Sequence, residues 1–197
     1  PGTTSRVRLG LVLASCLAVA ATVAPSAVAK EGAPAAPNYT TQAEAAGLTA
    51  GQARTLQGEV DRYLARLGGR QVSPNEIDLD GGAKAFVSLP GENRPRDFTT
   101  TMRDLPAALD TPADTCPYGN FCAYSGQGMT GSQINMPFCS SYALPGWSGT
   151  GSWDNNQTPG ASARMMDNSG HIIDNSGPAH NMNYSYIWDP VWWIDPC

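Results

Sequence analysis

The segment from Cys116 to Cys197 differs in composition from the rest of the chain. Its 82 residues hold four of the five cysteines and all five tryptophans, but no lysine, no glutamate and a single arginine, Arg164. Serine, threonine, asparagine and glycine supply the polar surface in place of paired charges. Small secreted domains closed by disulfides have this kind of composition. The segment is therefore predicted to be an extracellular β-domain whose function is binding.

Short strand-like runs divide this segment. They alternate with glycine, asparagine and serine turns at intervals of about 8–12 residues, which is typical of a compact sandwich or Greek-key barrel. The candidate strands lie at 121–124, 133–138, 161–166, 171–173 and 184–193. We therefore expect an all-β domain over residues 116–197.

The four cysteines of the segment allow three disulfide pairings. Cys116 and Cys122 flank a short turn-forming loop, which favours the pairs Cys116–Cys122 and Cys139–Cys197. A zinc site is the alternative. The Cys-x5-Cys spacing suits zinc poorly, and an oxidising compartment favours disulfides. No cofactor is expected.

The first 29 residues have the pattern of a secretory signal peptide. Arg6 and Arg8 precede an apolar stretch over 9–24, and Ala27-Val28-Ala29 is a small-x-small cleavage signal, so the predicted mature chain begins at Lys30. The stretch is shorter than the roughly 20 residues that span a bilayer. Cys16 leaves a second possibility open, because Leu13-Ala14-Ser15-Cys16 resembles a lipobox.

The charge of the predicted mature chain limits its partners. Without Arg6 and Arg8, 10 basic residues remain against 17 acidic ones, a net charge of −7. Proteins that bind nucleic acid or anionic lipid present clustered lysine and arginine. Neither nucleic acid nor a membrane is therefore an expected partner.

Residues 30–115 are divided into linkers and one small structured unit. Residues 30–47 are predicted to be a disordered linker, because they are rich in alanine, proline and threonine without an apolar period. Residues 49–67 are predicted to be a helix that begins with a Thr49–Gln52 capping box and stops at Gly68-Gly69. Six apolar residues share one face of this helix: Ala53, Leu56, Val60, Tyr63, Leu64 and Leu67.

A β-hairpin is predicted to follow over 70–90, around the turn signal Asp80-Gly81-Gly82. Together the helix and hairpin make a leader or arm over 48–90 that is too small to bury a core of its own. The unit is expected either to pack on another part of the chain or to be a removable pro-segment. Residues 91–115 are a second linker, in which Arg103 is a candidate cleavage site.

Catalytic and metal-binding patterns are weak. The histidines, His171 and His180, belong to no H-E-x-x-H motif, and no G-x-S-x-G elbow occurs. The expectation is therefore a protein that is not an enzyme. Asp154, Asn155 and Asn156 offer oxygen ligands of the kind that calcium takes. An Asx-rich turn is the preferred interpretation of these three residues.

The tryptophans divide between core and surface. One to three of them are expected to fill a small core. Trp192 and Trp193 are adjacent and would face opposite sides of a strand, so one is expected to be exposed and to recognise a protein or a sugar. The candidate binding residues are Tyr118, Asn120, Trp147, Trp153, Trp192 and Trp193.

Three stretches of the segment together resemble a known family. These are C-P-Y-G-N-F-C-A-Y at 116–124, then Cys139, then G-S-W-D-N-N-Q at 151–157, followed by a final cysteine. The pattern is similar to that of the secreted actinobacterial metalloproteinase inhibitors with a βγ-crystallin-like Greek-key fold. This resemblance implies two disulfides, a β-barrel, no cofactor and inhibition of thermolysin-like zinc proteases. The calcium motif of such folds is only partly kept, because Pro159 stands where a serine is expected.

The expected function is secreted, non-enzymatic peptidase inhibition by steric occlusion, with an extracellular protease or another secreted protein as partner. The loops at 117–121 and 144–156 are the candidates for insertion into a protease cleft. The first alternative is a secreted binding or assembly module that holds a protein or a cell-wall glycan through Trp192 or Trp193. The second alternative is an antimicrobial or toxin-like protein of the βγ-crystallin type.

Overall fold

The computed structural model describes residues 1–3, 38–98 and 116–197 of the chain. The predicted signal peptide, Cys16 and the candidate cleavage site Arg103 lie outside the described residues. Residues 38–98 and 116–197 belong to one compact unit. In the described part of the chain, neither helix combines the length and apolarity needed to cross a membrane.

Two helices begin this unit. Helix α1 (Tyr39–Ala45) starts after Asn38, whose side chain accepts a hydrogen bond from the Thr41 amide. The prediction of a disordered linker over 30–47 is therefore wrong for the part that forms α1. The helix was missed because seven residues are too few to show an apolar period. Its stability comes from tertiary packing, since Ala43 and Leu48 are buried in the core.

Helix α2 (Ala50–Leu67) confirms the predicted boundaries. The Thr49 hydroxyl accepts from the Gln52 amide, and the Gln52 side chain accepts from the Thr49 amide, as a capping box requires. Gly68, at a φ of 72°, caps the other end. Four residues of the predicted apolar face are buried: Ala53, Leu56, Val60 and Tyr63.

In residues 38–98 and 116–197, the remaining regular structure is antiparallel β-sheet, apart from a short 3-10 turn at Asp80–Gly82. The strands are β1 (Arg70–Gln71), β2 (Glu76–Asp78), β3 (Lys84–Phe86), β4 (Asn120–Gly126), β5 (Thr130–Met136), β6 (Tyr142–Ala143), β7 (Thr150–Asn156), β8 (Arg164–Met166), β9 (Ile172–Asn175), β10 (Asn181–Ile187) and β11 (Trp193–Asp195). They form two sheets. The larger sheet has the order β1-β2-β3-β5-β4-β7-β10, and the smaller sheet has the order β6-β11-β8-β9. The expected all-β character of residues 116–197 is confirmed.

The helix and hairpin of the arm are an integral part of this fold. The β2–β3 hairpin turns at the predicted Asp80-Gly81-Gly82 signal, and β3 then pairs with β5, placing Ala85 opposite Ile134. Leu56 and Val60 of α2 lie in the same core cluster as Ile134. The division into a separate 48–90 unit and a 116–197 domain is therefore wrong. The arm supplies three strands of the larger sheet and one wall of a shared core.

The strand β7 was not among the predicted strands. Its residues, Thr150-Gly151-Ser152-Trp153-Asp154-Asn155-Asn156, are mostly poor strand formers. It nevertheless lies between β4 and β10, and Gly151, Ser152, Trp153 and Asn155 are buried there. The candidate loop 144–156 consequently ends in a sheet strand.

Two disulfides close the fold, Cys116–Cys122 and Cys139–Cys197. They are the pairs that the spacing favours. The first closes a short loop, and the second ties the last residue of the chain to the segment between β5 and β6. Loops of these lengths give chain-entropy stabilisation of about 2 and about 4 kcal/mol respectively.

Gly151 lies where two chain segments meet most closely. The buried Trp188 donates its indole N–H to the Tyr124 carbonyl at 2.8 Å, directly beside this glycine. A Cβ on Gly151 would overlap both the Trp188 indole nitrogen and the Tyr124 oxygen. Only a residue without a side chain fits here.

We expect Gly151→Ala to lower the free energy of unfolding by about 1–3 kcal/mol, because the added methyl must displace backbone or a buried indole. Gly58→Ala is the matched control. Gly58 lies within α2, and a Cβ there meets open space, so this variant should gain roughly 0.5–1 kcal/mol. Chemical denaturation of both variants measures the difference. Equal stability of Gly151→Ala and the natural chain would contradict the packing described.

Candidate functional site

The loop between Cys116 and Cys122, hereafter the disulfide turn (residues 117–121), is the most constrained exposed feature of the domain. Its base is the Cys116–Cys122 disulfide, and both cysteines are buried. The Asn120 amide donates to the Pro117 carbonyl at 3.1 Å, which closes the turn. Gly119 has a φ of 87°, a left-handed conformation that glycine adopts without strain.

Tyr118 stands at the tip of the disulfide turn. Its side chain is 66% exposed, the largest exposed fraction among the large hydrophobic residues described. The ring stacks on His180, with ring centroids 6.1 Å apart and an interplanar angle of 28°. A side chain with one face against His180 has fewer accessible rotamers than a free one. Tyr118 is therefore a large aromatic group presented to solvent in a restricted orientation.

Asn156, the last residue of β7, holds the disulfide turn from behind. Its side-chain amide donates to the Cys116 carbonyl at 2.8 Å, and its own backbone carbonyl accepts from the Gly119 amide at 2.8 Å. Its side-chain oxygen lies 3.0 Å from His180 Nδ1. One asparagine thus fixes the base of the turn, its centre and the histidine that stacks on its tip.

His180 and Asn156 are supporting residues that sequence reasoning did not assign to the turn. The sequence shows only that His180 belongs to no H-E-x-x-H motif, and it predicts an Asx-rich turn for Asn156, with calcium binding as the alternative. The two residues lie 24 positions apart and far along the chain from Tyr118. Because the strand β7 was missed, no sequence signal placed them beside Cys116.

The calcium candidates do not converge on one point. Successive side chains of a strand face opposite sides, so Asn155 lies on the other face of β7 from Asp154 and Asn156. Asn155 is buried, and its amide donates to the Ala161 and Gly177 carbonyls and to the Ser176 hydroxyl. The preferred interpretation of these three residues as an Asx-rich turn is wrong, because they lie in strand β7, and the alternation of the strand also keeps them from facing one calcium ion. In 38–98 and 116–197, no three metal-ligating side chains of His, Cys, Asp or Glu gather.

His171 contacts an aspartate side chain, and His180 contacts an asparagine and a tyrosine. His171 Nδ1 lies 3.3 Å from an Asp167 carboxylate oxygen in an exposed turn. Backbone hydrogen bonds from His171 and Ser169 lower the pKa of Asp167, with His171 the larger contributor. His180 contacts Asn156 and Tyr118, as described above. Neither histidine forms a hydrogen bond with a serine hydroxyl in the described part of the chain.

The candidate binding residues fall into three groups. Tyr118 and Asn120 lie on the disulfide turn. Trp153 is 4% exposed and packs on Phe121, so the prediction that it is a binding residue is wrong. Trp153 and Trp188 fill the core, as expected for one to three of the tryptophans.

Of the remaining tryptophans, Trp147 is partly buried, whereas Trp192 and Trp193 lie on the surface. Trp192 and Trp193 are 40% and 38% exposed, so both reach solvent where only one was expected to. The alternation that was assumed does not apply, because β11 begins at Trp193 and leaves Trp192 in the preceding segment.

Asp154 lies close to the disulfide turn and carries a raised pKa. Burial is the larger influence and raises the pKa, while the nearby His180 lowers it. A raised pKa means that the folded chain holds this proton more tightly than the unfolded chain does. Protonation of Asp154 therefore stabilises the fold at low pH, and this stabilisation is lost as the pH rises from 3.8, the ordinary pKa of an aspartate, through the higher pKa of the folded state. At neutral pH the side chain is charged, and the charge is destabilising.

We expect Asp154→Asn to raise the melting temperature at neutral pH, because the amide removes a partly buried charge. The gain should vanish near about pH 2, where the carboxyl is protonated in the folded and unfolded chains alike. Thermal unfolding of both proteins across this range is the measurement. A gain that is equal at both pH values would show that the charge is not its cause.

No protein-family model, curated protein or solved structure matches this chain. The chemistry available to the site therefore follows from its geometry. The site is a short exposed turn that a disulfide and Asn156 stiffen, and it presents the Tyr118 ring to solvent in a restricted orientation.

Proposed function

We propose that this protein is a secreted, non-enzymatic inhibitor of thermolysin-like zinc peptidases, acting by steric occlusion of the peptidase cleft. The observation that carries the proposal is the disulfide turn. The turn is held by the Cys116–Cys122 disulfide and by two hydrogen bonds with Asn156, one donated and one accepted by that residue, and its exposed Tyr118 stacks on the His180 ring. The turn enters the cleft, and the barrel behind it blocks access for substrates.

The rigidity of the turn favours this mode of action. Ordering a flexible loop on binding costs roughly 0.5–1.5 kcal/mol for each immobilised side chain. A turn that is ordered before binding avoids much of that cost. An aromatic side chain at the centre of a contact also supplies a large share of binding energy, because tyrosine buries a wide apolar area with few rotatable bonds.

The choice of zinc peptidases as targets rests on the resemblance of residues 116–124 and 151–157 to the inhibitor family. The βγ-crystallin-like Greek-key arrangement belongs to the same proposal. It is supported by two antiparallel sheets that share one core and by the two disulfides. Secretion is proposed from the residues that precede Lys30 and from these disulfides, which persist in oxidising compartments.

The test is a titration of thermolysin-like zinc peptidases with the full, oxidised chain. Hydrolysis of a peptide substrate should fall in proportion to added inhibitor and approach zero near equimolar amounts. The chain should remain intact by mass spectrometry during the assay, which separates inhibition from competition by a second substrate. Unchanged hydrolysis across several zinc peptidases would overturn the proposal.

A further inference from the structure

A second feature of the surface lies between α2 and the loops that precede β7 and β11. It is an open cleft of about 420 Å³, which falls within the range of roughly 300–1,000 Å³ typical of small-ligand sites. Hereafter it is called the arginine–tryptophan cleft. Its defining residues are Arg62, Arg66, Trp147, Ser148, Asp189 and Trp192. None of them belongs to the disulfide turn.

Among the described residues, Arg66 forms no ion pair. Its guanidinium lies over the Trp192 ring, 4.4 Å from the centroid, and none of the ion pairs or hydrogen bonds within the described residues involves it. Arg62, one helical turn earlier, pairs with Glu59. Asp189 lines the same cleft but forms no ion pair with Arg66 among the described residues, so the Arg66 guanidinium is open to pairing with a negatively charged ligand.

Trp147 and Trp192 form the aromatic part of the cleft lining. The Trp147 indole N–H donates to the Tyr63 hydroxyl at 2.7 Å, and its ring packs on Trp188 with centroids 5.8 Å apart. The Trp192 backbone is bonded on both sides, donating to the Met166 carbonyl and accepting from the Leu144 amide. These contacts fix the Trp147 ring and the backbone that carries Trp192, so little backbone ordering is needed on binding.

Polar residues also line the cleft. Asp189 accepts a hydrogen bond from the Gly149 amide at 2.8 Å through one carboxylate oxygen, which orients the side chain. Ser148 belongs to the same lining. Carboxylate and hydroxyl side chains can form hydrogen bonds with the hydroxyl groups of a ligand, whereas the tryptophans can pack against the apolar face of a ligand ring.

We propose that the arginine–tryptophan cleft binds a sugar that carries a carboxylate, as a unit of an acidic glycan. The carboxylate pairs with Arg66, the apolar ring face packs on the tryptophans, and Asp189 and Ser148 accept and donate hydrogen bonds to hydroxyl groups. The free C-terminus of a peptide shares the carboxylate chemistry. It lacks the polyhydroxylated ring that Asp189 and Ser148 fit.

The experiment compares two sugars that differ by one carboxylate-bearing group, N-acetylmuramic acid and N-acetylglucosamine. Each is titrated into the full chain by calorimetry and by tryptophan fluorescence. N-acetylmuramic acid should bind saturably and at least about tenfold more tightly than N-acetylglucosamine, because only it presents a charge to Arg66. A short acetylated peptide with a free C-terminus is titrated in parallel.

Matched variants assign the binding to this cleft. Arg66→Gln should weaken N-acetylmuramic acid binding by about tenfold or more, whereas Arg54→Gln, an exposed arginine on the same helix outside the cleft, should leave it unchanged. Both positions are exposed, so neither variant should impair folding. Three results would overturn the inference: no saturable binding of either sugar, equal loss in both variants, or binding of the peptide alone. Peptidase inhibition is measured separately and does not depend on these results.

Discussion

A chain that begins at Cys116 should lose cooperative unfolding, although it keeps both disulfides and every residue of the predicted inhibitor domain. Without the arm, β5 loses its pairing with β3, and Trp147 loses its hydrogen bond to Tyr63. The shared core also loses Leu56, Val60 and other buried side chains of the arm. Each fully buried side chain of this size contributes about 1.5–3 kcal/mol, against a total stability of about 5–15 kcal/mol.

The measurement is thermal unfolding followed by near-ultraviolet circular dichroism, which reports on tryptophan packing. The chain that begins at Lys30 is the control and should unfold in one sharp transition. A sharp transition of the Cys116 chain, within a few degrees of the control, would restore the interpretation of the arm as a removable pro-segment.

Replacement of Tyr118 should have the largest effect on inhibition. Tyr118→Ala removes the aromatic tip of the disulfide turn, and central aromatic residues of interfaces cost about 2 kcal/mol or more when truncated. We therefore expect the inhibition constant against a sensitive zinc peptidase to rise by about 30-fold or more. Stability should change little, because most of the side chain is in solvent.

Tyr184→Ala is the matched control for that experiment. Tyr184 is 59% exposed and lies along β10 beyond Asn181, the residue of that strand that pairs with Asn155 beside the disulfide turn. Its replacement removes the same exposed aromatic group from a different strand, so inhibition should be unchanged. Equal losses in the two variants would mean that general surface hydrophobicity, and not the disulfide turn, governs binding.

The sequence was sufficient to predict features that depend on residues close together in the chain. The Thr49–Gln52 capping box and Gly68 define α2 correctly, because capping depends on residues three or four positions apart. The Asp80-Gly81-Gly82 turn and the disulfide pairs were equally accessible. Each of these features is specified by neighbouring residues or by a small number of possible combinations.

Tertiary contacts determine the features that the sequence did not reveal. β7 is built from residues of low strand propensity and is stabilised by pairing with β4 and β10. The union of arm and domain depends on β3 meeting β5 across 49 residues, measured from Ala85 to Ile134. The support of Tyr118 by Asn156 and His180 follows only after β7 is in place, so no periodicity or motif could indicate it.

Competition at the peptidase active site tests steric occlusion most directly. Binding of the full chain to a sensitive zinc peptidase would be measured alone and in the presence of a saturating small inhibitor that occupies the active-site cleft. Because the disulfide turn is proposed to enter that cleft, the two should exclude each other, and binding of the chain should fall with the occupancy of the small inhibitor. A stable complex that contains peptidase, small inhibitor and chain together would contradict occlusion by the turn.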